Sequence, residues 1–175
     1  VADIEREKKI ILDYENMREL ATEMWIVLDG VAPISINTAY SGAGHRFLTK
    51  EGKHFEDAMK TATAHAISAL PVKWQDVVDC VYKNKGSIDL RIWLYFDDLW
   101  NPAWKPGEMT KGGKKRGPVL QSPFKKKDAT NYVKLVEDSI VKGSGIDDSC
   151  FTDVSVSKRE DLTNPRVVAN YRVYI

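Results

Sequence analysis

An α+β (mixed α/β) fold, one domain with a small mixed sheet against two or three helices, is what the sequence predicts, on three observations. Stretches with helical spacing and stretches that alternate at a period of two interleave without the regular alternation of a doubly wound fold. The 175 residues, 43% hydrophobic and 29% charged, suffice to fill one core without disulfide or metal staples. The chain ends in two alternating stretches, 149–157 and 166–175, the pattern of an antiparallel strand pair that finishes a sheet.

The elements follow in chain order. Over residues 3 to 21, Ile4, Ile11, Leu12, Met17 and Leu20 recur near helical spacing among many charges, which predicts an amphipathic N-terminal helix. The run 24-MWIVLDG-30 is short and apolar and stops at Gly30, as a buried strand does. Residues 31 to 52 are rich in Pro, Ser, Asn and Gly and have no period. Connections of that length inside a compact domain are usually functional or disordered.

From Thr49 to Leu70 a helical pattern returns, with Thr49 as N-cap, Phe55, Ala58, Met59, Ala62 and Ala66 on one side, and Pro71 as the stop. The stretch 74-WQDVVDCVYKNKG-86 predicts a short helix ended by Gly86, and 88-IDLRIWLYFDD-98 is the clearest strand. Residues 99 to 124 hold four prolines and four glycines without a sustained period and predict a flexible loop. A further helix is predicted from Ala129 to Val141, with Gly143 available for its C-cap. The chain thus divides into an N-terminal helical extension over 1–23 and a domain over 24–175 that carries a flexible basic loop at 99–127.

The formal net charge of +1 conceals an asymmetry. Between Lys105 and Lys127 stand eight basic residues against Glu108 alone, so this segment carries +7 and the remainder of the chain −6. A basic loop on an acidic body points to a polyanion partner; a solvated surface loop is the alternative. Cys80 and Cys150 form no CxxC and have no companions for a zinc site, so two free thiols in a reducing compartment are expected. No apolar run approaches the ~20 residues of a membrane span. The charged start VADIEREKK does not read as a signal peptide, and a cytoplasmic protein is expected.

The chemistry concentrates in 125-KKKDATNYVKLVEDSIVKGSGIDDS-149. On the helix of this stretch, Val133, Val136 and Ile140 share one stripe, and Asn131, Lys134 and Asp138 lie on the opposite side. Asp128 stands just before the first turn, where it can cap the helix. Asp147 and Asp148 follow a Gly-containing turn and lead into a strand. Adjacent aspartates at a turn are usually structural, and a lone helical lysine is usually just exposed. In combination, however, a carboxylate at the helix start, Asn and Lys on its polar face and carboxylates at the next strand can converge. Hard oxygen donors of this kind suit Mg²⁺, and a nearby lysine can neutralise charge on a phosphodiester undergoing substitution.

Here the sequence resembles the RusA-like Holliday junction resolvases, crossover junction endodeoxyribonucleases of phages and prophages. The family signature has the form D-x-D-N-x-x-K-x-x-x-D, followed about ten residues later by an acidic pair; the corresponding residues are 128-DATNYVKLVED-138 and 147-DDS-149. A second likeness lies in 33-PISINTAY-40, which is similar to the segment that follows the family's first strand.

The resemblance implies a Mg²⁺-dependent endonuclease, with Mn²⁺ able to substitute, acting as a homodimer on branched four-way DNA by paired phosphodiester cuts. In a phage-encoded protein it would do so in the cytoplasm of the bacterial host. It makes Asp128, Lys134 and Asp148 the catalytic residues, and Asp128, Asp138, Asp147 and Asp148 the metal carboxylates. It makes Asn37, Tyr40, Arg46, Lys114, Lys115, Arg116, Lys125, Lys126, Lys127 and Asn131 the DNA-binding set. Thr130 departs from the signature, standing where a second aspartate is expected. Either Asp138 or Asp147 completes the site, or water replaces the lost ligand, or the chain is a non-catalytic junction-binding or architectural protein.

Outside the motif, His54 and His65 lie eleven apart on one predicted helix, a weak basis for metal ligation. Trp93, Trp100 and Trp104 are expected as core or loop anchors, with Phe124 a candidate wedge at a junction.

Overall fold

The computed structural model describes residues 18–42, 47–109, 120–125 and 127–175. Among them the chain forms β1 (Leu20–Leu28), a single-turn helix α1 (Ile36–Ala39), a two-residue ribbon of β2 (Tyr40–Ser41) with β3 (Phe47–Leu48), α2 (Lys50–Ser68), α3 (Trp74–Asn84), β4 (Ser87–Phe96), α4 (Thr130–Ser144), β5 (Phe151–Glu160) and β6 (Arg166–Tyr174). The expected α+β class is what is found.

The main sheet has the order β1-β6-β4-β5. Its β1/β6 and β6/β4 pairs are antiparallel, and β4/β5 is parallel. Parallel neighbours need a crossover. Helix α4 supplies it, carrying the chain from the end of β4 back to the start of β5. The expectation that the last two strands pair with each other is therefore corrected: β4 lies between them. The physical reason is burial. Ile88, Leu90, Ile92, Leu94 and Phe96 are all buried, as a central strand requires, whereas β5 is largely exposed and suits an edge.

One face of the sheet meets the helices. Met24, Ile26 and Leu28 of β1, the apolar row of β4, and Val167, Ala169, Tyr171 and Val173 of β6 form one core with Phe55, Met59, Leu135, Val136 and Ile140. Each of the Val, Leu, Ile, Met and Phe side chains among them contributes roughly 1.5–3 kcal/mol by leaving water. On the other face Trp25 and Trp93 stack at 5.6 Å, with Trp25 54% exposed. The first strand is thus half-buried, not wholly buried as its apolar run implied.

Strand β1 also begins earlier than the helix expected over 3 to 21 allows, since Leu20 and Ala21 belong to it. Glu19 and Ile175 exchange both backbone hydrogen bonds, at 3.1 and 3.0 Å, so β6 extends the pairing to the start of β1. The rest of that expected helix lies outside the described residues.

Helix α2 starts as its sequence suggests, with Thr49 Oγ1 accepting the Gly52 N–H at 3.0 Å. Helix α3 ends at Asn84, one residue before Lys85, which takes the left-handed conformation itself at φ 55°; Gly86 then follows. For α4 the expected cap moves. Gly143 stays helical and Gly145, at φ 74°, ends the helix. Gly143 is small for another reason: a Cβ there would lie 2.8 Å from Cβ of Thr63, where α4 crosses α2.

The expected loop over 99–124 has paired ends. Trp100 bridges Phe124 with rings 4.7 Å apart, Met109 bridges Leu120, and Trp104 Nε1 donates to the Gln121 carbonyl at 3.2 Å. These residues form the base of an arm, the chain segment that joins β4 to α4. Its 110–119 stretch lies outside the described residues.

Candidate functional site

Helix α4 presents its buried side through Leu135, Val136, Ser139, Ile140 and Ser144. The seam is broader than the Val133, Val136 and Ile140 stripe, because Leu135 joins it. Fixing that side in the core fixes the opposite one. Lys134 and Asp138, one turn apart, point outward and pair with Nζ to Oδ1 at 2.9 Å.

The second partner comes from a different element. After Gly145 the fully buried Ile146 pins the chain, and residues 148–150 make one 3₁₀ turn into β5. Asp147 caps that turn by accepting the Ser149 N–H at 2.9 Å. Hydrogen bonds from Ser149 hold the Asp147 carboxyl below the usual carboxylate range. Asp148 thereby faces α4, and its Oδ2 accepts Lys134 Nζ at 2.9 Å. One ammonium thus lies between two carboxylates.

That ammonium is held in its charged form. The hydrogen bond to Asp138, then the one to Asp148, raises the Lys134 pKa well above its ordinary value. Glu137, half-buried beside this group, is shifted upward chiefly by burial.

Two aromatic residues of α3, which the sequence reading did not single out, brace the same turn. Trp74 Nε1 donates to the Ser144 carbonyl at 2.6 Å, and the Tyr82 hydroxyl accepts the Asp147 N–H at 3.0 Å. They lie 70 and 65 residues from their partners, so no local spacing announces them.

Asp128 is placed otherwise. Its Oδ1 accepts the Thr130 N–H at 3.2 Å and the Thr130 hydroxyl at 2.8 Å. Thr130, the departure from the signature, is thus a donor to the first aspartate. Among the described residues Asp128 shares no hydrogen bond or ion pair with Lys134, Asp138 or Asp148. Nor do three His, Cys, Asp or Glu side chains there converge as a ready metal site. Lys134, Asp138 and Asp148 come together; Asp128 stands at the head of the same helix, and Asn131 is half-buried in its first turn.

The expected DNA-binding residues divide three ways. Asn37 is exposed on α1 and Tyr40 follows it half-buried; α1 packs on both α2 and α4, which brings this segment beside the motif helix. Lys125 and Lys127 both reach Asp98, another residue not singled out by the sequence reading. Hydrogen bonds from Lys127 first, and then Lys125, keep the Asp98 carboxyl below its ordinary pKa against the opposing effect of burial. Arg46, Lys114, Lys115, Arg116 and Lys126 lie outside the described residues. His54 and His65 lie along a shallow groove on α2 with Asp57 and Thr61.

Comparison with known proteins bears on this geometry. No curated protein matches the chain. Among solved structures, 2C-methyl-D-erythritol 2,4-cyclodiphosphate synthase from Plasmodium vivax aligns over 87% of this chain and 95% of its own at 11% identity. Its TM-score of 0.28 is too low for any inference. The family model described as Endodeoxyribonuclease RusA matches residues 35–170, a span that starts at the N-cap of α1, contains the whole Lys134 cluster and ends in β6. A match over most of the chain, with the signature lysine held between its two downstream aspartates, places this protein in the RusA family of endodeoxyribonucleases.

Proposed function

We propose that the protein is a Mg²⁺-dependent, structure-selective endonuclease, with Mn²⁺ able to substitute, that cleaves four-way junctions as a homodimer by paired phosphodiester hydrolysis. The observation that carries this reading is Lys134 Nζ held 2.9 Å from both Asp138 and Asp148 in a chain of the RusA family.

The donor chemistry fits a hard divalent ion. Asp138 and Asp148 are oxygen donors on separate elements that already share one cation, the ammonium, with Asp147 adjacent in sequence. Asp128, Asp138, Asp147 and Asp148 are the carboxylates that would hold the ion, and when bound it would supply charge stabilisation and an acidified water. Lys134, permanently cationic, neutralises the phosphoryl oxygen or the leaving oxygen as negative charge builds there. Thr130 orients Asp128 through its hydroxyl and N–H. The basic arm and the α1 segment with Asn37 and Tyr40 approach the DNA backbone, which is read by charge and shape more than by sequence. Two such sites in a two-fold dimer would match the symmetry of a junction.

Incubation of the protein with a four-way junction and Mg²⁺ tests this. Cleavage by the parent and its loss in Asp148→Asn and Asp128→Asn are expected; equal cutting by both variants would remove the site assignment. The engagement of Asp128 by Thr130 favours one second reading, a junction-binding protein that does not cut. Tight junction binding in EDTA without nicking in Mg²⁺ or Mn²⁺ would establish that reading instead.

A further inference from the structure

We propose that Asp98 sets the affinity for DNA by acting as an internal stand-in for phosphate. It holds Lys125 and Lys127 in the free protein and gives up Lys125, but not Lys127, when a DNA phosphate arrives. The nature of the ligand rests on the nuclease reading above.

Asp98 lies two residues past the end of β4, and the two lysines lie just before Asp128, so the contact closes the arm at its root. One carboxylate oxygen accepts Lys125 Nζ at 3.0 Å and the other accepts Lys127 Nζ. The two lysines are held unequally. The Lys127 side chain is 17% exposed, its Nζ lies 4.4 Å from the centre of the Phe96 ring, and its carbonyl receives Lys158 Nζ at 2.8 Å. Leaving that position would break a shielded ion pair and a cation–π contact together.

Lys125 is 41% exposed and faces a carboxylate that is itself 45% exposed. An ion pair so open to water contributes little and exchanges readily for another anion. Its backbone, meanwhile, is fixed: the Lys125 N–H donates to the Leu99 carbonyl at 2.9 Å, next to the packed rings of Trp100 and Phe124. The ammonium can therefore swing to a phosphate while the chain stays in place.

The exchange has a measurable signature. A free lysine that neutralises a phosphate releases about one counterion, which steepens log K against log salt by about 0.9. Lys127 stays on Asp98 and keeps it neutral, so Lys125 releases its counterion from the DNA as a free lysine would, while Asp98 withholds the charge of the second lysine. The cluster thus brings one net positive charge to the DNA where two lysines could bring two, and binding to ordinary duplex is held down.

The test is equilibrium binding to a linear duplex and to a four-way junction, in EDTA, across a range of monovalent salt. Asp98→Asn is expected to steepen the slope by about 0.9 on both DNAs and to bind about eightfold more tightly at 0.1 M salt, the difference vanishing near 1 M. Adding Lys125→Ala to Asp98→Asn removes the gain, and Asp98→Glu keeps the parent slope. Lys125→Ala alone, a change at an exposed side chain that leaves the fold intact, leaves Lys127 neutralised by Asp98 and is expected to lower the parent slope by about 0.9; an unaltered slope there overturns the proposal even if Asp98→Asn does not fold. Equal or weaker binding by folded Asp98→Asn, or a gain that survives in the double variant, overturns it as well. Failure of the parent to bind either DNA at low salt would bring down the nuclease reading, and this proposal with it.

Discussion

The Tyr82 hydroxyl accepts the backbone N–H of Asp147 at 3.0 Å, tying α3 to the turn that aims Asp148 at Lys134. A net hydrogen bond contributes about 0.5–1.5 kcal/mol, and here the contribution falls on geometry at the candidate site. Tyr82→Phe is expected to reduce junction cleavage about two- to tenfold and to raise the Mg²⁺ concentration needed for half-maximal rate, with the melting temperature lowered by about 1–6 °C. A Mg²⁺ titration of cleavage alongside a thermal melt checks it; an unchanged Mg²⁺ requirement would mean that the hydroxyl does not position the turn.

Lys134 leads to a prediction in which rate and stability separate. Its ion pairs to Asp138 and Asp148 are exposed enough that each contributes about 0.2–1 kcal/mol, whereas removal of a preorganised cation from a phosphoryl-transfer site costs about 10²–10³ in rate. Lys134→Ala should therefore remain folded and lose cleavage by that factor while still binding junctions in EDTA. The sign of the pH effect follows from the raised pKa of Lys134. The stabilisation is fully present below the lysine's unfolded pKa of about 10.4 and is lost only as pH rises through the higher folded value. Denaturation of parent and variant should then give a constant difference between pH 6 and 9.

Much of this could be read from the chain, and the remainder has physical causes. The helical face carrying Lys134 and Asp138 was legible because their spacing of four is a local property of one helix, and Thr49 announced its helix by the chemistry of its own side chain. The separation of β5 from β6 was not, because two alternating stretches look alike whether they pair or flank a third strand; only the fully buried apolar row of β4 against the open β5 decides. Tyr82 and Asp98 were missed for a related reason. Each acts on a residue brought near by the fold, at a separation of 65 residues for Tyr82 and of 27 and 29 for Asp98, and neither has an unusual local context. Asp128 and Asp148 were expected together from the signature. Thr130 keeps Asp128 engaged at the helix start, so their association was the part of the site that spacing alone could not supply.

Gly143 sets two effects against each other. Alanine in a helix interior is favoured over glycine by about 1 kcal/mol, and on propensity alone Gly143→Ala should stabilise α4. The added Cβ would, however, lie 2.8 Å from Cβ of Thr63, where neither helix can yield without shifting the α2–α4 contact. Overpacking of that kind costs about 1–3 kcal/mol, so the steric effect wins and net destabilisation is expected. Urea denaturation gives the sign directly. A stabilised variant would show that α4 can slide, and that the placement of Lys134 is softer than the packing suggests.

Thr130 yields the last prediction. Its hydroxyl and N–H both donate to Asp128, so Thr130→Val removes one of two hydrogen bonds at the start of α4 and should cost about 0.5–1.5 kcal/mol. Thr130→Asp does more, because it also sets a second carboxylate against Asp128. Without a divalent ion the repulsion outweighs the favourable effect of negative charge at a helix N-terminus, which is about 0.3–1 kcal/mol, and the melting temperature in EDTA should fall below that of the parent. An added carboxylate is also an added oxygen donor, and an ion that binds the folded state better stabilises it in proportion to RT ln(1 + [L]/Kd). Melting temperatures of parent, Thr130→Val and Thr130→Asp, each in EDTA and in millimolar Mg²⁺, should show the largest Mg²⁺-induced rise in Thr130→Asp and the smallest in Thr130→Val. If Mg²⁺ raises all three equally, the head of α4 takes no part in holding the ion, and the metal carboxylates reduce to those around Lys134.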